Sequence, residues 1–258
     1  MGRWRCHTAS LTSSSRHPGA LVPAEYAAAV ILPTRIRTGL AEAGCPANAA
    51  PMQAYLKSAM PCHGLRMSDL RRIVRPMLGA DPITDRADWE QAVRTLWDDA
   101  AFREERYAAI EVAGYRTYRP WQDADTMPLY EHLVRAGAWW DLADPVASSL
   151  VGPILLDSPG TEGERMHAWA NADDLWLRRT AIIAQLKAGD RTDTDLLTQV
   201  IRANLEGTRY GSEFFIRKAI GWALRQYART DPDWVRTFVA THAAGLSALS
   251  RREAVKHL

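Results

Sequence analysis

The sequence predicts an all-α protein, a HEAT-like helical-repeat solenoid with a concave face. Three observations carry this. Nearly every apolar segment repeats at helical spacing, and no stretch alternates apolar and polar residues at strand period. About a dozen helices of roughly ten to twenty residues are joined by short turns, which suggests stacked helical pairs. The pair period is loose, roughly 35–45 residues, within the range of HEAT-like repeats.

The helices are expected in this order. "PAEYAAAVILPTRIRTGLAEAG" (23–44) reads as a first helix or helix pair, broken or kinked near Pro33. "GCPANAAPM" reads as a linker, and "PMQAYLKSAM" (51–60) as a short helix ended by Pro61 and Gly64. Ser68 is placed to cap 69–78. Segments 85–100 and 102–118 form the next pair, followed by 127–137. "GAWWDLADPVASSL" starts a helix that runs to about residue 157. Then come 163–171, 174–189, 193–205, 212–230, 231–243 and 247–258. Thr192 with Asp195 has the spacing of a capping box, and Pro232 sits where an N1 proline belongs. Residues 21–258 read as one domain; the Ser/Arg/His/Gly-containing segment 1–20 reads as a disordered leader, without the apolar stretch of a signal peptide.

Composition narrows the function. A hydrophobic share of 47% and a charged share of 24% are those of an ordinary globular protein. The net charge of +2 is no nucleic-acid signature by itself, so any basic surface must come from arrangement. Arg66, Arg71, Arg72 and Arg75 cluster early; Arg217, Lys218, Arg225, Arg251 and Arg252 cluster late. The three cysteines, Cys6, Cys45 and Cys62, are odd in number and lack zinc-site spacing, which reads as reduced thiols in a cytoplasmic protein. His63, His132 and His167 have no metal-ligand spacing, so no metal is expected. No apolar run approaches membrane-spanning length.

The candidate site residues each have a plain reading alone. Trp140 and Asp144 lie one helical turn apart on one face. They are either a core tryptophan with a capping aspartate, or an aromatic face and a carboxylate that meet a cationic ligand. Arg178 and Arg179 follow two aspartates and suit solvated ion pairs. Trp222 lies on an apolar helix where burial is the default, and Tyr55 is equally ambiguous. Trp89, Trp97, Trp169 and Trp234 are assigned to packing.

Together, "WWDLAD", "WLRRTAI" and "FFIRKAIGWALRQYA" occur in an order that resembles the DNA alkylation-repair glycosylases of the AlkD type. The resemblance runs from about Pro51 to the end of the chain. It implies a HEAT-like solenoid whose concave face wraps duplex DNA, acting as a monomer without cofactor. It implies excision of cationic N3- and N7-alkylated purines by hydrolysis of the N-glycosidic bond, with the lesion left stacked in the duplex. Asp144 matches the catalytic aspartate, and Trp140 and Trp222 match tryptophans against the lesion's deoxyribose. Arg179, in preference to Arg178, matches an arginine near the DNA backbone. Tyr55 matches an aromatic DNA contact; Arg178, Arg217 and Lys218 are further DNA-binding candidates.

The chemistry suits these residue types. A purine alkylated at N3 or N7 is already positively charged and leaves readily. Positive charge then grows on the sugar, as in glycoside hydrolysis. An ionised carboxylate beside that sugar stabilises the transition state more than the ground state. Two other readings stay open: a non-catalytic relative that binds damaged or branched DNA, and a protein-interaction scaffold, the commonest use of helical solenoids.

Overall fold

The computed structural model describes the backbone of residues 24–256 and 258, with side chains from residue 31 onward except at 257. The leader expected over 1–20 lies outside the described residues. Among the described residues there are fourteen α-helices and no strand. They are α1 Ala24–Glu42, α2 Pro46–Leu56, α3 Met67–Ala80, α4 Arg86–Asp98, α5 Arg103–Ala113, α6 Met127–Gly137, α7 Trp140–Val146, α8 Gly152–Asp157, α9 Pro159–Asn171, α10 Leu175–Ile183, α11 Thr194–Arg202, α12 Phe214–Tyr227, α13 Pro232–Thr241 and α14 Ala248–Ala254. Sequential helices stack into an all-α helical-repeat solenoid.

The helix starts follow from local chemistry. Asp85, Asp174, Asp193 and Asp231 each accept hydrogen bonds from backbone N–H groups of the next turn, which otherwise lack partners. Ser247 does the same for α14. Three local expectations are corrected. The cap of α11 is Asp193, because its carboxylate reaches Asp195 N and Leu196 N; Thr192 turns back to donate to Gly189 O. Helix α3 begins at Met67, so Ser68 lies inside its first turn and caps nothing. The presumed linker is helix α2, started by Pro46 at the first helical position, where a missing N–H costs nothing.

Helix α1 continues through Pro33. Leu32, Ile36 and Leu40 repeat every four residues and are buried, and α1 packs on α3 and α4. Full burial of such a side chain is worth about 1.5–3 kcal/mol, enough to offset one missing helical hydrogen bond.

The core runs continuously from α1 to α14. Trp89 and Trp97 are fully buried, Trp169 nearly so, and Trp234 packs against the core. One row of helices matters for the site: α3 packs on α5, α5 on α7, α7 on α10, α10 on α12 and α12 on α14. The expected helix to residue 157 is interrupted. Pro145 lies inside α7, and a wide π-turn over Ala147–Val151 leads into α8, with Gly152 N donating to Ala147 O. A proline removes an i to i−4 bond, and widening by one residue lets the next turn resume. Gly152 is required there: a Cβ would lie 2.4 Å from Ala184 O.

No described helix is long and apolar enough to cross a membrane.

Candidate DNA-processing site

The short helix α7 projects two acids, Asp141 and Asp144, three residues apart on neighbouring positions of one face. Each is gripped by an arginine from a different helix. Arg179 of α10 donates from Nε to Asp144 Oδ1 (2.7 Å) and from Nη2 to Oδ2 (2.8 Å). Arg103 of α5 donates from Nε and Nη2 to Asp141 at 3.0 and 2.5 Å, and Tyr107 adds its hydroxyl to the same carboxylate. Two-point contacts of this kind fix a carboxylate's plane as well as its position.

The two acids differ in access. The Asp141 side chain is 7% exposed and its oxygens serve three donors. Asp144 is 14% exposed and serves Arg179 alone; both acids line a groove of about 1070 Å³. Burial pushes the Asp144 carboxyl above its usual value of 3.8; the Arg179 fork opposes this, and the nearby Asp141 charge adds to the rise.

Aromatic residues surround the Asp144 face. Trp140, on α7, Tyr55, near the end of α2, and Trp222, on α12, all line the same groove. The rings of Tyr55 and Trp140 meet edge to face, centroids 6.0 Å apart and planes at 88°. Tyr55 is 75% exposed, a large aromatic left without a covering partner. Trp222 is half-buried, and the residue before it must be glycine: a Cβ on Gly221 would lie 2.6 Å from Glu253 Cβ.

Helix α2 is held at its C-terminal end and through the loop that follows it. Trp139 Nε1 donates to Leu56 O at 2.7 Å, next to Tyr55. The loop after α2 is tied by Glu104, a fully buried carboxylate that accepts from His63 N, Gly64 N and Leu65 N. Adjacent tryptophans thus have separate roles. Trp139 anchors the helix that carries Tyr55, within a cluster with Trp176 and Phe215, while Trp140 faces the groove.

The sequence-derived set is therefore partly assembled. Tyr55, Trp140, Asp144 and Trp222 share one groove, and Arg179 stands behind it on Asp144. Arg179 was expected near a phosphate. It is instead 5% exposed, its third contact being Nη1 to Phe215 O at 2.6 Å, so its fork is committed to Asp144. Arg178, expected at DNA, is turned inward. It donates to the carbonyls of Asn171, Ala172 and Ala203 and to Asn204 Oδ1, and lies over the Tyr210 ring. It satisfies the end of α9, where helix carbonyls lack partners. Lys218 pairs with Glu253 of α14 at 3.3 Å, and Arg217 is half-buried with its carbonyl accepting from Ser250 Oγ. Both belong to the α12–α14 contact, and neither lines the groove.

Sequence reasoning missed Arg103, Tyr107 and Asp141. "FREERY" opens the segment expected as a helix over 102–118, and nothing in its charged run marks a buried face, yet Arg103, Glu104 and Glu105 are all buried. The only available signal was Asp141, one turn ahead of Pro145 in "WWDLADP".

Among the described residues no group of His, Cys, Asp or Glu is placed to hold a metal ion. Cys45 and Cys62 are unpaired, and burial pushes the Cys62 thiol up to about 11, which makes it a poor nucleophile.

Comparison with known proteins agrees with the geometry. A family model described as DNA alkylation repair enzyme matches residues 36–258. A solved structure described as a predicted DNA alkylation repair enzyme from Enterococcus faecalis superposes with a TM-score of 0.71 at 28% identity, covering 83% of this chain and 96% of that one. No curated protein matches the chain.

Proposed function

The chain belongs to the DNA alkylation repair enzyme family, and from that premise we propose that it is a DNA glycosylase. It hydrolyses the N-glycosidic bond of cationic N3- and N7-alkylated purines in duplex DNA, opening base excision repair. The observation that carries this reading is Asp144: an oriented carboxylate at the wall of an open groove, flanked by Trp140, Tyr55 and Trp222.

The bond from C1′ to the purine nitrogen breaks, and its electron pair neutralises the positive charge of the alkylated base. The sugar is left electron-poor at C1′. Asp144 faces that growing charge, and Arg179 holds it in the ionised form and in a fixed orientation. Each carboxylate oxygen retains a lone pair beyond its arginine contact, available to the sugar or to the attacking water. Water adds to C1′ and gives its proton to Asp144 or to solvent. The indole faces of Trp140 and Trp222 attract the same cationic centre, worth roughly 0.5–2 kcal/mol each.

The open groove, with Tyr55, Trp140 and Trp222 at its wall, supports a reading in which the lesion stays stacked in the duplex. Bulky cationic adducts are then substrates alongside 3-methyladenine and 7-methylguanine. Incubation with methylated duplex DNA, followed by identification of the liberated bases, tests the proposal. The wild-type protein should release both methylated purines, and Asp144→Asn should release neither at a comparable rate. Duplex binding without any base release would overturn it and favour a non-catalytic damage binder.

A further inference from the structure

The groove has a second charged wall, opposite in composition to Asp144. Arg71 and Arg75, four residues apart on one face of α3, both line it and both reach across to Glu111 of α5. Arg71 Nε meets Glu111 Oε1 at 2.7 Å; Arg75 Nη2 meets Oε2 at 3.1 Å. Arg72, by contrast, is paired with Asp69 outside the groove. We propose that Arg71 and Arg75 together hold one backbone phosphodiester of a DNA strand, and that Glu111 is the resident counter-ion which that phosphate displaces. This rests on the reading that duplex DNA occupies the groove.

Geometry and charge support the assignment. The Arg71 and Arg75 side chains are 47% and 56% exposed, while Glu111 between them is 11% exposed. The arginines are free to turn outward; the carboxylate is not. Arg66 and Arg116 line the same groove and have no ion-pair partner among the described residues. Four guanidinium groups therefore line the groove, two of them on Glu111. Across the groove, Asp141 and Asp144 are each matched by an arginine, so no acid there competes for the cations. A chain with a net charge of +2 thus concentrates its positive charge where a polyanion would lie.

Glu111 has two consequences. It holds both guanidinium groups in a pre-oriented, low-entropy position, as bidentate recognition of phosphate requires. It also weakens binding to any duplex, because each phosphate must first displace it. The carboxylate is a brake on non-specific DNA binding, which competes with lesion search.

The test measures affinity for an undamaged duplex and for one carrying 7-methylguanine across a salt series. Wild type, Arg71→Ala/Arg75→Ala, Arg71→Lys/Arg75→Lys and Glu111→Gln are compared, with thermal melts for each. Losing both arginines should weaken binding about tenfold to both duplexes and reduce the slope of log affinity against log salt by about one. The lysine pair should recover the slope and only part of the affinity. Glu111→Gln should bind both duplexes several-fold more tightly. An unchanged slope in the alanine pair, or unchanged affinity in Glu111→Gln, overturns the proposal. Competition by inorganic phosphate beyond that of chloride at equal ionic strength would mark a monoester site and also overturn it. If wild type binds no duplex, the DNA reading itself fails; if it binds independently of Arg71 and Arg75, only this assignment fails.

Discussion

Arg179 holds Asp144 by both oxygens, at 2.7 and 2.8 Å, from a position behind the groove. The pair is buried on the arginine side and open on the acid side, with side-chain exposures of 6% and 14%. Truncating either partner therefore has different costs. Arg179→Ala leaves a buried carboxylate without its counter-ion, which is expected to lower stability by roughly 3–5 kcal/mol. Asp144→Asn keeps an acceptor for the guanidinium and should cost less. Base release should fall about 100- to 1,000-fold in Asp144→Asn while duplex affinity is retained. Denaturant melts and single-turnover base release on the two variants check this ordering.

The raised Asp144 carboxyl predicts opposite pH trends for activity and stability. Only the ionised form stabilises a cationic sugar. Activity should fall as pH drops through a midpoint above 3.8, the ordinary carboxyl value. For stability the sign reverses. The folded state holds this proton more tightly than the unfolded chain, so between the two pKa values Asp144 makes folding less favourable as pH rises. Below the unfolded value both states are protonated and the group has no effect. Comparing the urea stability of wild type and Asp144→Asn over that window isolates the contribution: the wild type should lose ground to the variant as pH rises. The opposite trend would mean that Arg179 outweighs burial.

Arg178 should be a stability residue. Its guanidinium serves the carbonyls of Asn171, Ala172 and Ala203, all left bare in Arg178→Ala. A loss of roughly 2–4 kcal/mol is expected, since each unsatisfied buried acceptor costs about 1–3 kcal/mol and water recovers part. At low temperature, where the variant is folded, base release per bound duplex should match the wild type.

Trp139 should affect binding more than chemistry. Trp139→Phe preserves the contact with Trp176 and Phe215 but deletes the bond to Leu56 O. Helix α2 and Tyr55 then lose an anchor beside the groove. Duplex affinity should weaken several-fold while the rate at saturating DNA stays within about twofold, because Asp144 is untouched. A rate loss equal to that of Asp144→Asn would sink this division of labour.

The helical class, most helix positions and four of the residues that line the groove, Tyr55, Trp140, Asp144 and Trp222, were readable from the linear chain. Three- and four-residue apolar spacing, aspartate caps and the order of "WWDLAD", "WLRRTAI" and "FFIRKAIGWALRQYA" are local signals, and local signals survive in one dimension. Which charge meets which is another matter. Arg178 and Arg179 are neighbours with the same chemistry, but a helix turns about 100° per residue, so one faces the end of α9 and the other Asp144. The same holds for Arg103, whose partner Asp141 lies on another helix and is met only where α5 and α7 pack together. Long-range pairing depends on the rotation of each helix about its axis and on its neighbour's position, and burial decides those only when the whole chain is stacked.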